Sequence, residues 1–255
     1  MKTRVGSSLI LLGLVFSLNC YSQKDAQVNP TIYKELTYKP LKTNAIIIPM
    51  AFVVYGFSSP QVRQLHNLDV NTHTELQEDF PSFSFKGDDY LRYVPIAAVY
   101  GLDLAGVNSK HNFTDRTAML LISTAMMGAT TDLTKGATNR LRPNGANDHS
   151  FPSGHTAMAF MAAEFMHQEY KDESVWYTVI GYSAAIATGG LRLYNGAHWF
   201  SDVVAGAGYG ILSTKITYWA YPFVKEKLFK GKSNNTVLVP MHQNGLTGFT
   251  YIRKF

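Results

Sequence analysis

Three short blocks between Lys135 and Asp202 carry residue types that can do chemistry together. They read Lys135-x6-Arg142-Pro143, then Pro152-Ser153-Gly154-His155, then Arg192-x5-His198-x3-Asp202. Three cations, a turn that frees backbone N–H groups, and a His/Asp pair are what binding and transfer of a tetrahedral oxyanion such as phosphate require.

The spacings suggest how each block is presented. Lys135 and Arg142 are close to two helical turns apart and share a face while a helix lasts; Pro143 discourages helix at Arg142 and turns the chain. The Ser153-Gly154 turn reads as the start of a helix, with Ser153 as its N-cap and His155 beside any anion held there. His198 and Asp202 are spaced i and i+4, so that on one helix face the carboxylate takes the Nδ1 proton and leaves Nε2 as a directed nucleophile. Each block alone also fits an ordinary structural reading: cations at a helix C-terminus, a capping histidine, a surface His/Asp pair. A metal reading is weaker, because no second His/carboxylate cluster stands at ligand spacing.

In order and in combination, the blocks resemble the signature of the type 2 phosphatidic acid phosphatase superfamily, which includes non-specific acid phosphatases, lipid phosphatases and vanadium-dependent haloperoxidases. The resemblance implies an all-α six-helix core and a phosphatase acting on phosphomonoesters or diphosphates. In it His198 attacks phosphorus, Asp202 orients His198, and His155 protonates the leaving oxygen and then activates water. Lys135, Arg142, Arg192, Ser153 and the Gly154 N–H surround the phosphate, with no metal or cofactor. Leu191 departs from the pattern, which usually has Ser there, and that puts one phosphate-facing hydroxyl in question. A phosphorylated lipid or a small phosphoester is the expected partner and nucleic acid is not; contact with a membrane is left open. Competing readings are a broad-specificity soluble acid phosphatase, a vanadate-dependent haloperoxidase and a non-catalytic phosphate-binding protein.

The surrounding chain must supply helices. With 46% hydrophobic and 16% charged residues over 255 positions, it can bury one sizeable core. The mean hydropathy of -0.07 is low for a bundle of membrane spans. Apolar runs predict helices over about 45–57, 90–107, 115–135, 154–170, 174–191 and 199–229, the second interrupted by Pro95 and the last bent near Pro222, with a short amphipathic helix over 60–68. Asp103 lies inside the second and demands a partner or water. Gly206, Gly208 and Gly210 permit close approach in the last. Val237–Val239 and Phe249–Ile252 flank Asn244-Gly245 and predict a C-terminal β-hairpin.

Residues 1–22 have Lys2 and Arg4 before an apolar stretch, the pattern of a secretory signal peptide, so an exported, periplasmic protein is expected. A lipoprotein signal ending at Cys20, the only cysteine, is the alternative. Removal would lower the formal charge of +5 by two. The expected organisation is signal 1–22, arm 23–44, helical phosphatase domain 45–230 and tail 231–255. His149, Asp148 and Asn195 lie near the blocks but outside the signature, and of these His149 is expected to line the pocket; His66, His73, His111, His167 and His242 read as structural or exposed.

Overall fold

In the computed structural model, which describes residues 43–229, 236–243 and 246–253, helices follow one another along the chain before a single hairpin. They are α1 (Thr43–Ser58), α2 (Arg63–Asp79), α3 (Asp88–Leu91), α4 (Val94–Leu104), α5 (Phe113–Thr138), α6 (Gly154–Tyr170), α7 (Val175–Tyr194) and α8 (Phe200–Phe229). The expected all-α class and the order of apolar helices hold.

Two helices differ from expectation. The run expected over 90–107 is divided into α3 and α4, and Pro95 stands in the first turn of α4, where its missing N–H leaves no bond unmade. Helix α2 extends to Asp79, well past the expected 60–68. Its polar residues Asp69, His73 and Gln77 recur every four positions, and all three meet groups near the start of α8 or the end of α7. Tertiary hydrogen bonding therefore sustains a helix whose apolar periodicity is weak.

Helix α6 forms the centre. Ala157, Ala159, Met161, Ala162, Ala163 and Phe165 are all fully buried, and its buried Glu164 and Glu169 must then find partners inside the fold. Its alanines let α8 come very close. A Cβ at Gly206 would lie 2.6 Å from the Ser153 carbonyl oxygen, and one at Gly210 2.2 Å from that of Ala157. Gly208 faces α1 in the same way, 2.5 Å from the Pro49 carbonyl. Only glycine permits these backbone contacts.

Buried charges at the far ends of α5 and α6 are paired. Arg116, fully buried, donates to both oxygens of Asp103 at 3.1 and 2.6 Å, which supplies the partner Asp103 demands. Glu169 accepts from His111 and Tyr218, and Glu164 from Lys215. Such pairing is what makes charge tolerable in a core.

At the C-terminus β1 (Thr236–Gln243) and β2 (Leu246–Arg253) pair antiparallel, with Val237 opposite Ile252 and Gln243 opposite Leu246. That register leaves a two-residue connection, as expected; Asn244 and Gly245 themselves lie outside the described residues. The expected signal peptide and nearly all of the expected arm also lie outside them.

Candidate active site

The site assembles where α5 ends and α6 and α8 begin. Helix α5 stops at Asn139, whose left-handed φ of 44° reverses the chain. Lys135 is therefore in the last turn of α5, whereas Arg142 is beyond it, so the two do not share a helix face as their spacing suggested. A closed loop brings them together instead. Ser150 N–H donates to the Arg140 carbonyl at 2.9 Å and Arg142 N–H to the Asn147 carbonyl at 3.0 Å. The Asn147 side chain also accepts from Arg142 Nε at 2.9 Å, which orients the guanidinium.

His198 lies just before α8 and is 2% exposed. Its Nδ1–H donates to the Ser150 carbonyl at 2.8 Å, while Asp202 Oδ2 is 3.7 Å away. This corrects the expectation that Asp202 takes the Nδ1 proton. His198 is not on the helix, so the i,i+4 geometry does not apply, and a carbonyl fixes the tautomer that leaves Nε2 with a lone pair. Asp202 caps α8 instead: Oδ2 accepts from Trp199 N–H at 2.9 Å and from the Ser150 hydroxyl at 2.5 Å. It still lies close enough to His198 to form an ion pair with a charged ring. Burial pushes the His198 imidazole down to about 4, against the pull of Asp202.

Behind Asp202 is a buried network that the sequence did not reveal. Arg140 donates to Asp202 Oδ1 at 2.7 Å, to the Ser201 hydroxyl at 2.8 Å and to Asp69 Oδ2 at 2.7 Å. Asp69, 1% exposed, also accepts from Ser59 and from the Ser201 hydroxyl and N–H. A basic and an acidic residue in polar stretches look like surface charges; their partners are 62 and 71 residues from Arg140 in the chain. Asn139, a residue that accepts left-handed φ, was the one local sign that the helix ended before Arg140.

At the start of α6, Ser153 is the N-cap, as expected, and is fully buried. Its hydroxyl is bonded to that of Thr156 at 2.9 Å and its N–H donates to the Asp202 carbonyl at 3.0 Å. Ser153 thus joins the second block to the third. Gly154 leaves room for Lys135, whose Nζ would be 3.7 Å from a Cβ there. His155 donates from Nε2 to Asp89 Oδ1 at 2.7 Å, and Arg192, in the last turn of α7, donates to Asp88 Oδ2 at 2.6 Å. These two carboxylates on α3 were also missed.

The cations converge. Burial, then the Arg142 charge, lowers the Lys135 ammonium below its ordinary value; burial, then Arg192, does the same to Arg142. Arginine keeps its charge regardless, so Arg142 and Arg192 remain cations beside Lys135. Lys135 Nζ meanwhile donates to the His149 carbonyl at 3.3 Å.

The remaining residues near the blocks have other partners. His149 is paired with Asp148 at 2.7 Å and both are more than half exposed. Asn195 holds the backbone of Phe85 through both its amide atoms. Leu191 offers no hydroxyl. His73 packs edge-on against Trp199, with Nδ1 buried and unpartnered. Asp88, Asp89 and His155 place three potential ligand atoms within 4.8 Å of one another. Their charges are already matched among Arg192, His155 and the carboxylates, so the group is not assigned as a metal site.

The family model described as the PAP2 superfamily matches residues 116–226, a segment that holds all three blocks. The chain is 31% identical over 254 residues to the lipid A 1-phosphatase of Porphyromonas gingivalis, with 94% of this chain and 55% of that protein covered. It is 35% identical over 75 residues to the bacitracin transport permease protein BcrC of Bacillus licheniformis, covering 29% of this chain and 35% of that protein. The chain thus spans about half the length of the first relative and about a third of the second. Among solved structures, Aquifex aeolicus LpxE matches at a TM-score of 0.43 and 21% identity over 56% of this chain and 92% of that one. A transmembrane PAP2-type phosphatidylglycerolphosphate phosphatase from Bacillus subtilis matches at 0.47 and 15% identity, over 72% and 96%.

Proposed function

The chain belongs to the PAP2 superfamily, and from that membership we propose that it is a phosphatase that removes a phosphate group from a phosphorylated lipid through a phosphohistidine. The observation that carries this reading is His198: buried, tied at Nδ1 to the Ser150 carbonyl, and close enough to Arg142 and Arg192 for their charges to lower its pKa.

His198 Nε2 attacks phosphorus as the bond from phosphorus to the leaving oxygen breaks, and His155 gives that oxygen its proton. Lys135, Arg142 and Arg192 match the charge on the transferring group. The nearby Asp202 carboxylate offsets the positive charge on the phosphorylated ring. His155 then takes a proton from water, whose oxygen attacks phosphorus, and the N–P bond breaks to release phosphate and restore His198.

Two observations support a lipid. Apolar side chains face outward on several helices, including Ile47, Ile48 and Val54 on α1, Leu121 on α5, and Trp176, Val179 and Ile186 on α7. The relative from Porphyromonas gingivalis is a lipid A 1-phosphatase, which makes that lipid the first substrate to offer. Among the described residues no single helix is long and apolar enough to cross a membrane; α1 and α2 pass that test together, but are bent by 88°. An exported location is part of the proposal, on the sequence pattern of residues 1–22.

The test is phosphate release by purified protein in EDTA from lipid A 1-phosphate, phosphatidic acid and p-nitrophenyl phosphate, with His198→Ala alongside. Release from a lipid, abolished in His198→Ala, is expected. Release from the soluble ester alone would replace the lipid reading with a broad acid phosphatase, and full activity in His198→Ala would sink the phosphohistidine.

A further inference from the structure

Asp89 lies outside the three blocks, on a helix of four residues, yet its Oδ1 accepts a 2.7 Å hydrogen bond from His155 Nε2. A carboxylate can only accept, so Nε2 carries a proton and Nδ1 is the nitrogen left for the reacting oxygen. The adjacent Asp88 is 1% exposed and pairs with Arg192 across 104 residues of chain. A helix this short does not hold together by itself. Asp88 anchors it to α7, and the anchor sets Asp89 beside the ring.

The charges that face His155 come from three helices and a connection: Asp88 and Asp89 on α3, Arg92 after it, Arg192 on α7, and Lys135 on α5, which lies against Gly154. Burial, then Arg192 and Arg92, disfavour the imidazolium; Asp89 is the group whose hydrogen bond most opposes them. Reciprocally, the bond from His155 holds the Asp89 carboxyl below its usual range. A general acid must start protonated, and a site built from cations works against that.

We propose that Asp89 is a positioning residue for His155, fixing Nε2 as the outer donor and presenting Nδ1 to the leaving oxygen. Resting on the reading of His155 as the general acid, it assigns that acid a carboxylate of its own. The proton leaves from Nδ1 in the first step and returns to Nδ1 from water in the second, while the Nε2–H to Asp89 bond persists throughout.

The side chain of Asp89 is 46% exposed, so Asp89→Asn is expected to fold normally. On an alkyl phosphate, whose leaving oxygen needs the proton, it lowers kcat/KM, which reports transfer to His198 and not the shared hydrolysis step, about tenfold. On p-nitrophenyl phosphate, whose leaving group departs as the anion, it has little effect. The alkaline limb of the pH–rate profile moves to lower pH, and Asp89→Glu restores much of the loss. Equal loss on both esters with an unmoved limb would overturn the proposal and make Asp89 structural. A measurement that needs no turnover separates this from the phosphatase reading. In the full protein the His155 ring, followed by NMR, titrates at lower pH in Asp89→Asn than in wild type; an unchanged midpoint overturns the proposal even where no ester is hydrolysed. Absence of phosphate release from wild type with a shifted midpoint would sink the function and leave the pair standing.

Discussion

His198 shows how burial and charge set one residue's working range. With its pKa pushed down to about 4, the ring is neutral over most of the acidic range. Protonation removes the lone pair on Nε2, so activity is lost as pH falls through that value, not through the ordinary histidine range. The acid limb of kcat/KM is therefore expected near pH 4; a limb near 6.5 would mean that His198 titrates like a solvated imidazole. Arg140 makes a different prediction. It is the cation between two fully buried carboxylates, and Arg140→Met strands both. The expected cost is about 3–5 kcal/mol in unfolding free energy. Adding Asp69→Asn removes one stranded charge, so the double variant loses less than the two single losses summed, which a double-mutant cycle in urea measures. Additive losses would mean that Arg140 and Asp69 do not act as a unit.

At the scale of helices, the close approach of α8 to α6 makes two glycines unlike in consequence. Gly210→Ala drives a methyl group into the Ala157 carbonyl and forces the helices apart, at an expected cost of about 1–3 kcal/mol. Gly128→Ala, inside α5 with open space around its Cβ position, is expected to be neutral or to stabilise by about 0.5–1 kcal/mol through helix propensity. Thermal or denaturant unfolding of the two variants decides it: equal effects would mean that α6 and α8 are not in backbone contact. The same contact positions chemistry, because the cap of α6 and the first turn of α8 are joined by the bond from Ser153 N–H to the Asp202 carbonyl.

Across the whole molecule, the outward apolar side chains of α1, α5 and α7 predict co-sedimentation with phospholipid vesicles, reduced by Trp176→Asp together with Ile180→Asp. Protein that stays in the supernatant would remove the lipid-surface part of the proposal. The sequence by itself determined helices α5 to α8 and the three blocks, because those signals are local: apolar runs for the helices, a Ser-Gly turn for the start of α6, Asn-Gly for the hairpin. It also determined that Asp103 needed a partner, since a carboxylate in an apolar helix does. What it did not determine was which residues complete the site. Asp69, Asp88, Asp89 and Arg140 are charged residues in polar stretches, and nothing within a few positions of them distinguishes a solvated charge from one meeting a partner 62 to 132 residues away. Nor did the i, i+4 spacing reveal that His198 donates its Nδ1–H to the Ser150 carbonyl instead of to Asp202. Those outcomes depend on where α2 and α3 dock against α6, α7 and α8, and docking is set by packing and pairing summed over the fold, which only the tertiary structure contains.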